Sequence, residues 1–137
     1  MSHPARRSRG RTDARRIHQL VRTAAEEAIE RKGRDVVLLD LRGITSATDW
    51  FVLVSGDSDI QVRSIAERIE ERLARELDAR PWHVEGLKQT RWILLDYVDF
   101  VVHVFHHEAR AFYDLERLWA DAPVESLEPE GGRPDPD

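Results

Sequence analysis

The densest set of chemically capable residues is "HVFHHEAR", residues 103 to 110: three histidines, a glutamate and an arginine. Such a set could hold zinc or move protons. Its spacing argues against a shared ion. In a strand over 99–106, Val101, His103 and Phe105 point one way, and Phe100, Val102, Val104 and His106 the other. His103 and His106 then lie on opposite faces. His107 and Glu108 begin an H-E-x-x-H zinc pattern, but its second histidine would be residue 111, which is Ala111. No metal site is expected. His103 is expected to be an interior imidazole satisfied by hydrogen bonds, with His106 and His107 at the strand-to-helix turn.

Asp57 and Asp59 form a second set. Two carboxylates at i and i+2 can hold magnesium in nucleotide-transferring enzymes. Here they flank Ser58, a predicted helix cap, and acids at a helix N-terminus are favoured by the dipole alone. A third carboxylate would have to come from Asp40, Asp96 or Asp99. There is no glycine-rich phosphate loop, no G-x-S-x-G context and no cysteine. No catalytic residue and no cofactor are expected.

The third set is "EGLKQTRWILLDYVD", residues 85–99. Trp92 and Tyr97 sit among Glu85, Lys88, Arg91, Asp96 and Asp99. Aromatic residues ringed by charge are the material of protein-binding hot spots. For Trp92, core packing and an interface role both remain open at this point.

The elements that must position these residues follow from periodicity. Ile17, Leu20, Val21, Ala24, Ala25 and Ala28 repeat at helical spacing, and Gly33 is a natural stop. Asp35–Leu41 is an apolar run of strand length, suited to burial on both faces. Asp49–Gly56 is a second strand. Ser58 and Gln61 make a capping box, ahead of a helix whose Val62, Ile65, Ala66, Ile69, Leu73 and Leu77 share one face. Pro81 ends that segment. Residues 82–84 are a candidate short strand, and 85–90 a loop. Arg91–Tyr97 and Asp99–His106 read as strands joined by a tight antiparallel turn at Val98. Ala109, Phe112, Leu115 and Trp119 mark a last helix. The fold class is α/β (α+β), a mixed sheet of about five strands covered by helices.

The 137 residues suffice for one domain with a real core. No stretch approaches the ~18 apolar residues of a membrane span. Charge divides the chain in three: 1–16 is an arginine-rich arm at net +5, 17–121 a body at −6, and 122–137 a proline-rich tail at −4. Arm and tail are expected to be disordered. The arm reads as a solvated tail, as a contact for RNA phosphates or, being short for one, as a transit peptide. An acidic body does not resemble a stand-alone nucleic-acid binder and suits a basic protein partner.

The stretches "TDWFVLVSGDSDIQV" (48–62), "HVEGLKQTRWILLDY" (83–97) and "DFVVHVFHHEARAFYDLERLW" (99–119) closely resemble the ribosomal silencing factor family, also called the Iojap family. The resemblance covers about residues 17–123. The matching positions include Asp49, Gly56, Ser58, Gln61, Glu85, Gly86, Trp92, Asp96, Asp99, His103, Arg110, Tyr113 and Trp119. The resemblance implies a nucleotidyltransferase-like fold without demonstrated catalysis. It also implies binding to the large ribosomal subunit through the ribosomal protein numbered fourteen, steric blocking of small-subunit joining, and repression of translation. The interface expected on this basis is Glu85, Lys88, Trp92, Asp96, Tyr97 and Asp99, with Trp92 and Tyr97 as anchors. The expected location is the bacterial cytoplasm, with mitochondrion or plastid as alternatives. The rival functions are a large-subunit assembly factor without silencing and a magnesium-dependent nucleotidyltransferase using Asp57 and Asp59. One departure is Val98, where the family usually has glycine. A β-branched residue resists positive φ, so a different turn is expected there.

Overall fold

The computed structural model describes residues 11–127, apart from the side chains of Arg11, Thr12 and Phe112. Expectations for residues 1–10, including contact with RNA, and for 128–137 lie outside the described residues.

The chain order is α1 (Arg11–Glu30), β1 (Arg34–Asp40), β2 (Trp50–Gly56), α2 (Asp59–Leu77), β3 (His83–Glu85), β4 (Trp92–Asp96), β5 (Phe100–His106), α3 (His107–Tyr113), α4 (Leu115–Leu118) and β6 (Val124–Leu127). The six strands form one mixed sheet in the order β3-β4-β5-β2-β1-β6. Only β2 and β5 run parallel, and α2 lies in the crossover that joins them. Such a connection is needed because parallel neighbours cannot be joined by a hairpin.

Strand alternation divides the apolar residues between two faces. Trp50, Val52, Val54, Ile93, Leu95, Phe100, Val102 and Val104 pack with the apolar stripes of α1 and α2 in the main core. The other face is thinner: Val37, Leu39, Leu53 and Phe105 meet Ala109 and Ala122, with Phe51, Trp92, Leu115 and Trp119 only partly buried. α3 and α4 are too short to cover this face fully, and their gap exposes the residues considered below.

Several expected boundaries move. α1 starts at Arg11, so residues 11–16 of the expected basic arm are helical. Arginine and alanine are good helix formers, and Arg16 also donates to the C-terminal carbonyl of Leu77 (2.8 Å). The expected acidic tail supplies a sixth strand. Val124–Leu127 covers the edge of β1, Pro123 O accepts from Asp40 N (2.9 Å), and Arg22 pairs with Glu125. The last helix is two pieces, broken at Asp114 with φ 51°, a conformation aspartate tolerates better than most residues.

The capping box at the start of α2 forms with an altered partner. Ser58 Oγ accepts from Gln61 N (3.1 Å). The Gln61 side chain accepts from Asp57 N (2.6 Å), one residue before the cap, and donates to Arg31 O and Lys32 O. It thereby ties the entry of α2 to the exit of α1.

The turn at Val98 corrects the expectation of a different backbone. Val98 keeps φ at +74°, and Asp99 N donates to Tyr97 O (2.8 Å). A hydrogen bond between residues two apart around a positive φ is the strained form of γ-turn. Its neighbours hold it: Asp96 Oδ1 accepts from Val98 N (2.8 Å), Thr48 Oγ1 donates to Val98 O (3.0 Å), and Asp49 N donates to Asp99 O (2.9 Å).

Candidate functional site: the half-covered sheet face

Residues paired across neighbouring strands share a face. The pairing therefore places His83 and Glu85 of β3 beside Asp96 and Leu94 of β4. It continues through Trp92–Phe105, Leu94–His103 and Asp96–Val101 to Phe51 and Leu53 of β2. This row is the half-covered face.

Trp92, the first residue of β4, is half-buried on this face. Its ring meets Phe105 at 5.0 Å and Tyr113 at 4.7 Å between centroids. Its Nε1–H donates to His103 Nδ1 (3.0 Å). Trp92 is thus both core and surface. Its position is fixed by Gly86, whose φ is +91°; a Cβ there would lie 2.0 Å from Trp92 O.

His103 is 3% exposed. Burial disfavours its charged form and pushes its pKa down to about 3. Because Nδ1 accepts from Trp92, the neutral ring carries its proton on Nε2. Among the described residues that nitrogen has no hydrogen-bond partner. The imidazole meets the Phe51 ring in an edge contact at 4.4 Å. The expectation of a satisfied interior imidazole is met at one nitrogen and not at the other.

Tyr97 is a correction. The residue after the last of β4 turns to the helix-covered side, 9% exposed and stacked on Phe100 at 4.6 Å. Burial raises its hydroxyl pKa. Alternation puts it opposite Trp92 and Asp96, so it cannot be a surface anchor on their face. Lys88 also departs, lining a hollow with Asp59, Ile60 and Arg63 at the start of α2. Glu85 is exposed on the open face with His83 Nε2 at 2.8 Å from its carboxylate, and Asp99 belongs to the Val98 turn.

The metal alternatives can be placed too. Asp57 is bound by Arg34 (2.9 Å). It follows Gly56, which pairs with His106, whereas Asp40, Asp96 and Asp99 lie at the Trp50–Phe100 end. Seven residues of strand separate the two ends by roughly 20 Å, so these acids do not converge. Arg42 holds Asp40 and lowers its pKa. Among the described residues no three His, Cys, Asp or Glu side chains are grouped to hold a metal. His106 caps α3, its Nδ1 accepting from Glu108 N (3.3 Å), and Arg110 is buried against Asp35 O, Ser55 Oγ (3.1 Å) and Glu116. "HVFHHEAR" is a structural seam.

Three aromatic residues of this face were not among the expected interface residues: Phe51, Trp82 and Trp119. Together with Thr48, Asp96 and Val98 they line a groove of about 420 Å³. Trp82 is 73% exposed. The available signal was its place in "ARPWHVEG", a large aromatic in a polar stretch.

The profile described as "Ribosomal silencing factor during starvation" matches residues 14–136. A protein of Halalkalibacterium halodurans named ribosomal silencing factor RsfS is 40% identical over 110 residues, covering 80% of this chain and 93% of that one. The maize protein named Iojap, chloroplastic, is 30% identical over 105 residues, 74% of this chain and 44% of that one. A crystal structure of a Chromobacterium violaceum protein superposes with a TM-score of 0.72 at 33% identity, over 76% of this chain and 86% of that one.

Proposed function

The chain belongs to the ribosomal silencing factor family, and from that premise we propose that it binds the large ribosomal subunit through ribosomal protein fourteen. Occupying that surface excludes the small subunit and represses translation. The proposed setting is the bacterial cytoplasm, on the ground that relatives named ribosomal silencing factor RsfS come from bacteria such as Halalkalibacterium halodurans.

Beyond family membership, the half-covered sheet face carries this reading. It exposes part of Trp92, with Glu85 and Asp96 on the same side. A rigid aromatic held by a partly buried hydrogen bond, with acids around it, suits a basic protein surface. The sheet is preorganised, so binding orders few side chains. The proposed interface is therefore Trp92, Asp96 and Glu85, with Asp99 at its margin and without Tyr97.

Co-sedimentation with isolated subunits tests this. The protein is expected to travel with large subunits at low salt, to leave them as salt rises, and to reduce 70S formation when small subunits are added. Failure to travel with large subunits at low salt refutes the reading. Binding without reduced joining would leave a large-subunit factor that does not silence.

A further inference from the structure

Within the proposed interface, we infer that the groove between Trp82, Trp119 and Phe51 takes an arginine side chain of the ribosomal partner, with Asp96 as its counter-charge. This rests on the reading that the open face meets a ribosomal protein.

The groove is mainly apolar, and among the described residues its lining contains one charged side chain, Asp96. Asp96 Oδ1 accepts from Val98 N, and among the described residues no cation pairs with the carboxylate within ion-pair distance. Covering a lone carboxylate with an apolar guest is unfavourable, because the charge loses its water without gaining a partner; a cationic guest offsets that cost. The aromatic walls favour a cation as well, through their negative ring faces. Phe51 and Trp119 stand edge to face, centroids 5.9 Å apart. The Trp82 backbone N donates to Asp96 O (2.7 Å), so the two residues are tied to the same strand end. An arginine fits better than a lysine. Its planar guanidinium stacks on indole, desolvates more readily and can pair with both carboxylate oxygens. A nucleic-acid guest would bring phosphate toward Asp96 with no cation in the lining to receive it.

The test uses the full ¹⁵N-labelled chain, whose four tryptophans give four indole N–H signals. It is titrated with N-acetyl-arginine methylamide, with the norleucine analogue and with adenosine monophosphate. The Trp82 and Trp119 signals are expected to move saturably with the arginine compound only, and Asp96→Asn is expected to weaken that response about tenfold. Asparagine keeps an oxygen acceptor for Val98 N, so the turn survives. Equal shifts with norleucine, or larger ones with the nucleotide, or none with arginine, overturn the inference.

In large-subunit binding, Trp82→Ala is expected to weaken affinity about tenfold and Trp82→Phe to restore most of it. Should wild type bind subunits while Trp82→Ala and Asp96→Asn bind equally well, the groove inference falls and the family reading stands. Should wild type not bind at all, the proposed function falls, and the indole titration still decides what the groove accepts.

Discussion

The indole N–H of Trp92 donates to Nδ1 of His103 at 3.0 Å, joining a half-buried aromatic of the sheet face to a buried imidazole. This bond requires a neutral ring with Nδ1 unprotonated. Folding therefore selects one tautomer, and protonation of Nδ1 would remove the acceptor.

The consequence is a pH-dependent stability with a defined sign. His103 has a folded pKa of about 3 against 6.5 ordinarily. Below about 6.5 the unfolded chain binds a proton that the native state refuses. The stability from the neutral ring is complete above that pH and declines toward pH 3. The slope from this residue approaches about 1.4 kcal/mol per pH unit. Urea unfolding between pH 7 and 4.5 should show the decline. His103→Gln, which retains an acceptor without titrating, should flatten it. An unchanged slope in the variant would remove His103 as its source.

Val98→Gly should stabilise the protein. Positive φ at a β-branched residue costs of order 1–3 kcal/mol, against the greater unfolded-state freedom of glycine. A net gain of about 1 kcal/mol, or roughly 3–4 °C in Tm, is expected by calorimetry. A lower Tm would show that Val98 contributes more by packing than its backbone costs.

Gly86→Ala should be severe. The new methyl would lie 2.0 Å from Trp92 O, which is backbone, at a φ of +91°. A loss of about 3 kcal/mol or more is expected, with altered Trp92 fluorescence because this loop seats it. A loss under about 1 kcal/mol would show that the loop has slack.

Removing the Ser58 hydroxyl should cost about 1 kcal/mol. Gln61→Ala should cost at least as much, because its side chain serves Asp57 N as well as Arg31 O and Lys32 O. A double-mutant cycle with Ser58→Ala should give a coupling of about 0.5 kcal/mol or more. Strict additivity would mean that the two act as separate caps.

Much of this molecule was legible in its sequence. Helical repeats over Ile17–Ala28 and Val62–Leu77, the Ser58 cap, and the alternation that parts His103 from His106 are local properties. They follow from the geometry of a few consecutive residues. The same alternation sends Tyr97 away from Trp92 and Asp96, so its loss as an anchor was implicit in the strand pattern, although the choice of face needed the helices in place.

Other features required the tertiary structure. Val124–Leu127 becomes a strand because β1 offers an open edge, a partner eighty-odd residues earlier that composition does not reveal. Val98 adopts positive φ because Asp96, Thr48 and Asp49 hold the turn from three directions; local preference alone points elsewhere. Trp82, Trp119 and Phe51 come from separate segments, and only sheet order and the short span of α3 and α4 bring them to one groove. Local periodicity determined which residues face inward. Long-range pairing decided which of two faces stayed partly open, and so where this protein can meet a partner.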